Sequence, residues 1–218
     1  MKVYHILIFS FIFLLFNTAN AQETWFFELN DGKVIEGELT KRGFHSGEKK
    51  IDFRNKKTKK KEHIESTDLA KITSVIEGDT TVYTKVKQAY KTKKKFKYYN
   101  GLYWATPLYA SDKLEAYMTI EKRLSTSQVP GGPRTTKIDY YAALNFRATS
   151  NDYLFLVGPF SQDANSFNSK KAFSKIMSTT LKVALADSCP SFTEGLDKHS
   201  YLMHEYEKVV DDYTAKCK

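Results

Sequence analysis

Trp25-Phe26-Phe27-Glu28-Leu29-Asn30-Asp31-Gly32-Lys33-Val34-Ile35-Glu36-Gly37-Glu38-Leu39 decides how this chain folds. Trp25, Phe27 and Leu29 alternate with Phe26, Glu28 and Asn30, and Ile35 and Leu39 alternate with Glu36 and Glu38. A period of two belongs to a strand with one buried face. Between the two runs, Asn30-Asp31-Gly32-Lys33 is a hairpin signal, because Asp-Gly supplies positive-φ positions and so sets the register. Further strands are expected at Lys50–Arg54, with Ile51 and Phe53 inward, and around Ile64, with Leu69, Ile72 and Val75 closing the module. A lone hairpin is marginal in water, so these short strands are expected to form a small barrel or curled sheet.

Val34-Ile35-Glu36-Gly37 recurs as Val75-Ile76-Glu77-Gly78. A repeat architecture carries similarity across about 20 to 50 residues, so this short match is read as two independent strand and turn segments. Thr80, Val82, Thr84 and Val86 then read as another strand. Tyr98, Leu102 and Trp104 belong to an aromatic run. Leu114, Ala116, Met118 and Ile120 alternate with Glu115, Tyr117, Thr119 and Glu121. Ile138, Tyr140, Ala142, Leu144 and Phe146 alternate with Asp139, Tyr141, Asn145 and Arg147. Such strands have one dry and one wet face. Pro130-Gly131-Gly132-Pro133 breaks the chain between the last two runs, and Tyr153–Val157 makes a final strand before Gly158-Pro159. The expected result is an antiparallel meander that continues or abuts the first module. Tyr117 and Tyr141 on its wet face are either cross-strand packing partners or a sugar-stacking surface.

The period then changes to 3.6. Phe173, Ile176, Met177, Thr180, Leu181, Ala184 and Leu185 share one face of a helix expected over Ser169–Asp187, capped at Asn168 or Ser169. A second helix, His199–Lys216, presents Leu202, Tyr206, Val209 and Tyr213, and Pro190–Leu196 adds a short turn with proline at its first position. The class is therefore α+β: an antiparallel β-rich N-terminal and middle part, a small barrel-like module plus a meander, covered by two C-terminal helices. The segments are 22–88 for the module, 89–160 for the meander and 161–218 for the helical cover.

Residues 1–21 stand apart as a signal peptide. Lys2 supplies a positive charge, Ile6–Phe16 is almost wholly apolar, and Ala19-Asn20-Ala21 is a small-x-small cleavage site before Gln22. A transmembrane anchor would need roughly 20 apolar residues, and this run is shorter. No cysteine follows the cleavage site, so the expectation is a protein exported to the periplasm or beyond without a lipid anchor and without a transmembrane segment after signal removal. Export also bears on Cys189 and Cys217, the two cysteines of the chain, because disulfides persist outside the cytosol. A structural bond between them is expected. The competing reading, a redox or metal pair, lacks C-x-x-C spacing and a histidine at a ligand interval.

Charge is unevenly placed. From Lys41 to Lys97 there are 18 Lys and Arg against 7 Asp and Glu, a net of +11, whereas Ala148–Lys218 carries 8 against 9, a net of −1. Two clusters stand out: Lys56, Lys57, Lys59, Lys60 and Lys61, then Lys91, Lys93, Lys94, Lys95 and Lys97. One reading is edge protection, since lysine on hairpins and edge strands blocks strand-to-strand aggregation. The other is a binding surface for an anionic partner, with a field that speeds encounter and is screened by salt. Basic barrels with aromatic faces also bind single-stranded nucleic acid, a partner that export places out of reach. Anionic envelope lipid, acidic polysaccharide or an acidic protein are the partners expected for this surface.

Leu29-Asn30-Asp31-Gly32-Lys33-Val34-Ile35-Glu36-Gly37-Glu38-Leu39 resembles the opening strand pair, of the form nGd-x-I-x-G-x-I, of uncharacterised exported β-rich proteins of Bacteroidota. Asp187-Ser188-Cys189-Pro190 with Tyr213-Thr214-Ala215-Lys216-Cys217 is similar to the C-terminal pattern of the same group, an Asp-Cys-Pro turn and a terminal Tyr-Asn…Cys. Here Ser188 stands between Asp and Cys, and Thr214 takes the place of Asn. The resemblance implies a shared architecture and the cystine, and it carries no activity.

Enzyme chemistry has little to build on. His199 and His204 are five apart, which splays them around a helix where a zinc helix needs them at i and i+4. His204-Glu205 lacks the second histidine of H-E-x-x-H, and neither a G-x-S-x-G elbow nor a Walker glycine loop occurs. Cys189 with His199 or His204 as base would need a free thiol in an oxidising compartment. Glu36 and Glu38 share a strand face about 7 Å apart, where carboxylates more often solubilise than hydrolyse. No catalytic residue, metal ligand or cofactor is therefore expected. The functional expectation is an exported, non-catalytic envelope or extracellular binding protein, with a secreted hydrolase as the alternative.

Overall fold

A computed structural model describes residues 23–41, 44–92, 95–128, 134–159, 167–197, 200–202 and 204–217. Residues 1–22, where the signal peptide is expected, together with Lys93, Lys94, the break at 130–133 and His199, lie outside the described residues. Eleven strands run in the order β1 (Thr24–Leu29), β2 (Val34–Leu39), β3 (Lys50–Asn55), β4 (Lys61–Glu65), β5 (Leu69–Ile76), β6 (Asp79–Lys91), β7 (Phe96–Tyr98), β8 (Tyr103–Ala110), β9 (Leu114–Gln128), β10 (Arg134–Ala148) and β11 (Tyr153–Pro159). Helices α1 (Phe167–Ala184), α2 (Pro190–Glu194) and α3 (Tyr206–Lys216) follow. The class is α+β, β-rich with C-terminal helices.

The β1–β2 hairpin pairs Trp25 with Gly37 and Phe27 with Ile35. Its turn is built differently from the expected Asp-Gly pair. Gly32 alone takes a positive φ, +84°. Asp31 Oδ1 instead accepts from the Lys33 N–H at 2.9 Å, and the Leu29 N–H donates to the Lys33 carbonyl at 2.8 Å. Three-residue hairpin loops commonly follow this pattern, with one left-handed residue. Glu77-Gly78, at φ +53° and +93° with Ile76 paired to Asp79, is the true two-residue turn. The two Val-Ile-Glu-Gly segments therefore occupy unlike places, one inside β2 and one at a strand end and turn.

Trp25, Phe27, Phe44, Ile51, Phe53, Ile64, Leu69 and Ile72 form the N-terminal core. Leu69 and Ile72 are three apart yet both face inward, because the β1–β5 register shifts between Glu28 and Leu29. Beyond Ile72 the alternation is regular, which corrects one expectation: Val75 pairs with Thr24 and is only half-buried, and Ser74 takes the buried position.

The strand β6 joins this module to the rest. It pairs antiparallel with β5 through Asp79–Tyr83, with β8 through Thr84–Val86 and with β7 through Ala89–Lys91. Its Lys87–Tyr90 stretch also pairs in parallel with Tyr153–Leu156 of β11. With β8–β9, β9–β10 and β10–β11 antiparallel, the ring β6–β8–β9–β10–β11–β6 is closed. The boundary expected at residue 88 falls inside β6, which serves both units.

Closure overturns the expectation of a wet face on the long strands. Tyr117, Thr119 and Asn145 are 7%, 1% and 0% exposed, because that face lines the barrel interior. On the outside, Leu114, Ala116, Leu144, Phe146 and Phe155 pack beneath Met177, Leu181, Leu185, Phe192, Val209 and Tyr213. Trp104, on the β8 face turned away from the barrel interior, enters the N-terminal core. Its indole N–H donates to Ser66 Oγ at 3.3 Å.

The helical cover departs from its periodicity in two places. α1 begins at Phe167, so Asn168 and Ser169 lie in its first turn, and Ile176 is 44% exposed while Ser174 and Ser178 are buried. The apolar arc is wider than the contact with the barrel. α3 starts only at Tyr206, because Glu205 Oε2 accepts the Leu202 N–H at 2.6 Å and Ser200 Oγ accepts the Asp197 N–H at 2.8 Å. These bonds satisfy the Asp197 and Leu202 N–H groups outside a helix. Cys189 and Cys217 are disulfide-bonded, 5.7 Å apart between Cα atoms, tying α2 to the end of α3. On chain-entropy grounds such a loop closure contributes roughly 3 to 4 kcal/mol.

Leu181 is fully buried against the barrel. Leu181→Asp places an unpaired charge there at a cost of several kcal/mol, which should lower the melting temperature by on the order of 10 °C. An unchanged melting curve would mean that α1 does not pack.

Candidate functional site

The first lysine cluster is the β3–β4 turn, and its backbone is held by its own polar residues. Asn55 Oδ1 accepts the N–H groups of Lys57 and Thr58 at 2.9 and 3.1 Å, and the Asn55 N–H donates to the Lys60 carbonyl at 2.9 Å. Asn55 Nδ2 and Thr58 Oγ1 donate to the two carboxylate oxygens of Glu62 at 3.0 and 2.7 Å. Lys59 adopts φ +60° at the tip, a left-handed conformation that the surrounding bonds enforce. With the backbone fixed this way, Lys56, Lys57, Lys59, Lys60 and Lys61 are all exposed. Lys56 is ion-paired to Glu36. Lys57, Lys59, Lys60 and Lys61 make no ion pair among the described residues.

A groove of about 730 Å³ runs between this turn and the start of β2, lined by Lys33, Val34, Lys56, Lys57 and Glu62 among others. Val34 is 55% exposed beside these ammonium groups. Glu36 and Glu38 do lie on the outward face of β2, and the Lys56 partner shows that Glu36 neutralises a neighbour there.

The second cluster lies elsewhere. Lys91, Lys95 and Lys97 belong to the β6–β7 hairpin on the barrel, whereas β3 and β4 are at the far edge of the sheet beyond β5, β1 and β2. Lys95 and Lys97 are exposed. Lys91 is half-buried, its ammonium donates to the Thr179 carbonyl of α1 at 3.1 Å, and burial lowers its pKa. The two lysine clusters thus lie in separate regions of the fold, and the second is partly built into the helix packing.

A third feature was hidden by the wet-face reading. Inside the barrel, Gln88 and Asn145 are fully buried. Gln88 Nε2 donates to Asn145 Oδ1 at 3.0 Å and to Glu121 Oε1 at 2.9 Å, and Asn145 Nδ2 donates to Thr119 Oγ1 at 2.9 Å. Thr119 Oγ1 in turn donates to Glu121 Oε1 at 2.8 Å, while Gln88 Oε1 has no hydrogen-bond partner among the described residues. Near Glu121 the rings of Tyr90, Tyr99 and Tyr103 follow one another in tilted contact, 4.8 and 4.7 Å between centroids. Toward Lys85 and Asp152, Arg147 donates to Glu115 at 2.7 Å and to the Tyr117 hydroxyl at 2.9 Å. Of the two readings of Tyr117, cross-strand packing partner or sugar-stacking surface, its burial fits the first. Only the pairing of β6 with β11 turns these polar residues inward, and no local pattern in the sequence encodes that pairing.

Among the described residues no three His, Cys, Asp or Glu side chains are placed to hold a metal ion, and no helix is long and apolar enough to cross a membrane. No protein-family model, curated protein or solved structure matches the chain.

Burial, and then the nearby Glu121 carboxylate, push the Tyr103 phenol up to about 12 from an ordinary 10.0. The folded state therefore keeps this proton where the unfolded chain loses it. Its contribution to stability is complete below pH 10 and is lost as the pH rises toward about 12. Ring chemical shifts of Tyr103 in an alkaline titration should move near pH 12, and Tyr103→Phe should flatten the decline in stability above pH 10. A Tyr103 midpoint at 10 would contradict this.

Proposed function

We propose that this is an exported, non-catalytic envelope or extracellular binding protein that meets an anionic partner on the β3–β4 turn and its adjoining groove. The observation that carries the reading is the set Lys57, Lys59, Lys60 and Lys61, exposed on an internally bonded turn and in no ion pair among the described residues. Lysines that serve edge protection alone need no fixed turn. A fixed turn presents several ammonium groups without first having to order the backbone, so less conformational entropy is lost on binding. The groove between two turns suits a chain of anionic groups, which favours acidic polysaccharide over anionic envelope lipid or an acidic protein.

Export rests on the Lys2, Ile6–Phe16 and Ala19-Asn20-Ala21 pattern, on the resemblance to exported Bacteroidota proteins, and on a disulfide compatible with that compartment. The alternative, a secreted hydrolase, would draw on the polar barrel core. There the Glu121 carboxylate already accepts from Thr119 and Gln88, and that commitment favours binding.

Reversing Lys57, Lys59, Lys60 and Lys61 to Glu should weaken binding to polygalacturonate at least tenfold, while reversing Lys182 and Lys208 should change it little. Wild-type binding should fall steeply with salt, since exposed charges are screened beyond about 8 Å at physiological ionic strength. Vesicles with and without anionic lipid form the comparison arm. No binding at low salt, or equal binding by the reversed turn, would leave edge protection as the role of these lysines.

A further inference from the structure

Where β6 and β11 end, the barrel wall and α1 diverge and leave a groove of about 580 Å³. That size falls within the roughly 300–1,000 Å³ typical of small-molecule sites. Leu156, Val157, Ala172 and Ile176 give it apolar walls, and Lys91 and Lys175 also line it. Two observations set it apart from ordinary surface. Ile176 lies on the helical stripe that otherwise packs into the core, yet it is 44% exposed where it borders the groove. Lys91 is drawn in beside the same walls, with Thr179 taking one of its three ammonium donors. Lys95 and Lys97, on the same hairpin, add positive potential nearby.

We propose that this groove holds the acyl chain of an anionic single-chain lipid, with its head group at the ammonium groups of Lys91 and Lys175. An apolar slot lined by two cations matches a long apolar tail that carries one anion and disfavours the neutral alcohol of the same length. A polysaccharide would leave Ile176, Val157 and Leu156 against hydroxyls. A free fatty acid and a phosphate-headed lysolipid share the chemistry named here, and the head group tells them apart. The site is on the barrel, away from the β3–β4 turn, and does not rest on the role of that turn.

Full-length mature protein is titrated with octanoate, decanoate, dodecanoate, dodecyl phosphate and dodecanol, each below its micelle concentration, by calorimetry. Each added methylene should tighten binding by roughly fourfold while it still finds apolar wall. Dodecanoate or dodecyl phosphate should bind at least tenfold tighter than dodecanol, and the tighter of the two identifies the head group. Ala172→Trp, at an exposed position, fills the slot and should abolish binding of both. Lys175→Glu should weaken the anions about tenfold and leave dodecanol unchanged. Should Ala172→Trp lower the melting temperature, Ile176→Glu supplies an independent block from the opposite chemistry. Absence of binding, no dependence on chain length, or equal binding by the blocked variants would overturn the proposal. The β3–β4 charge-reversed protein should bind dodecanoate as wild type does, so failure at one site is distinguishable from failure at the other.

Discussion

The parallel hydrogen bonding between β6 and β11 is the constraint on which this structure depends. Without it, β8 to β11 would be an open meander with β11 as a bare edge, and unpaired edges invite association. With it, the ring closes, one face of every strand becomes interior, and only the outer face remains for the helices to cover. The same β6 continues at its other end into β5, so the N-terminal sheet grows from the barrel wall. Trp104 reinforces the junction, since its ring belongs to the N-terminal core while its strand belongs to the barrel.

Closure also explains the polar interior. A barrel of few strands has a narrow bore, and here it is filled by Gln88, Thr119, Asn145 and Glu121 together with Val86, Ala105, Tyr117 and Leu154. Buried polar groups are costly unless bonded, and networks of them favour one arrangement over its neighbours. The Gln88, Asn145 and Thr119 bonds join β6, β10 and β9 through their side chains, which fixes the mutual register of three strands. The outer surface is organised differently. Lysines gather on two turns, one at the far sheet edge and one where the barrel meets α1, so positive charge is concentrated in two separated regions.

Much of this fold was legible in the sequence because it is written in local patterns. Trp25, Phe27, Ile51, Phe53 and Ile64 face inward as their alternation requires, Leu181 and Leu185 face the barrel as their helical spacing requires, and Cys189 meets Cys217. What was not legible depends on contacts between distant segments. The inward turn of Tyr117 and Asn145 follows from Phe155 meeting Ala89 in a parallel ladder, and residue polarity argued for the opposite. The half-buried Val75 follows from plain alternation after Ile72, while only the register shift between β1 and β5 lets Leu69 and Ile72 both face inward. Of the candidate site, the lysines themselves could be read from sequence. Their division into two places could not, nor could the rigid Asn55 and Glu62 frame or the recruitment of Lys91 by Thr179, since these depend on strand order and helix docking.

If β6 couples barrel and module into one cooperative unit, the amides of Phe27 in β1 and Phe146 in β10 must open together. Native-state hydrogen exchange under increasing denaturant measures this directly. The two amides should converge on one opening free energy and one denaturant slope, shared with Ala89 in the middle of β6. Opening of Phe27 with a smaller slope, while Ala89 and Phe146 stay protected, would show that the N-terminal sheet unfolds alone and that β6 does not bind the two together.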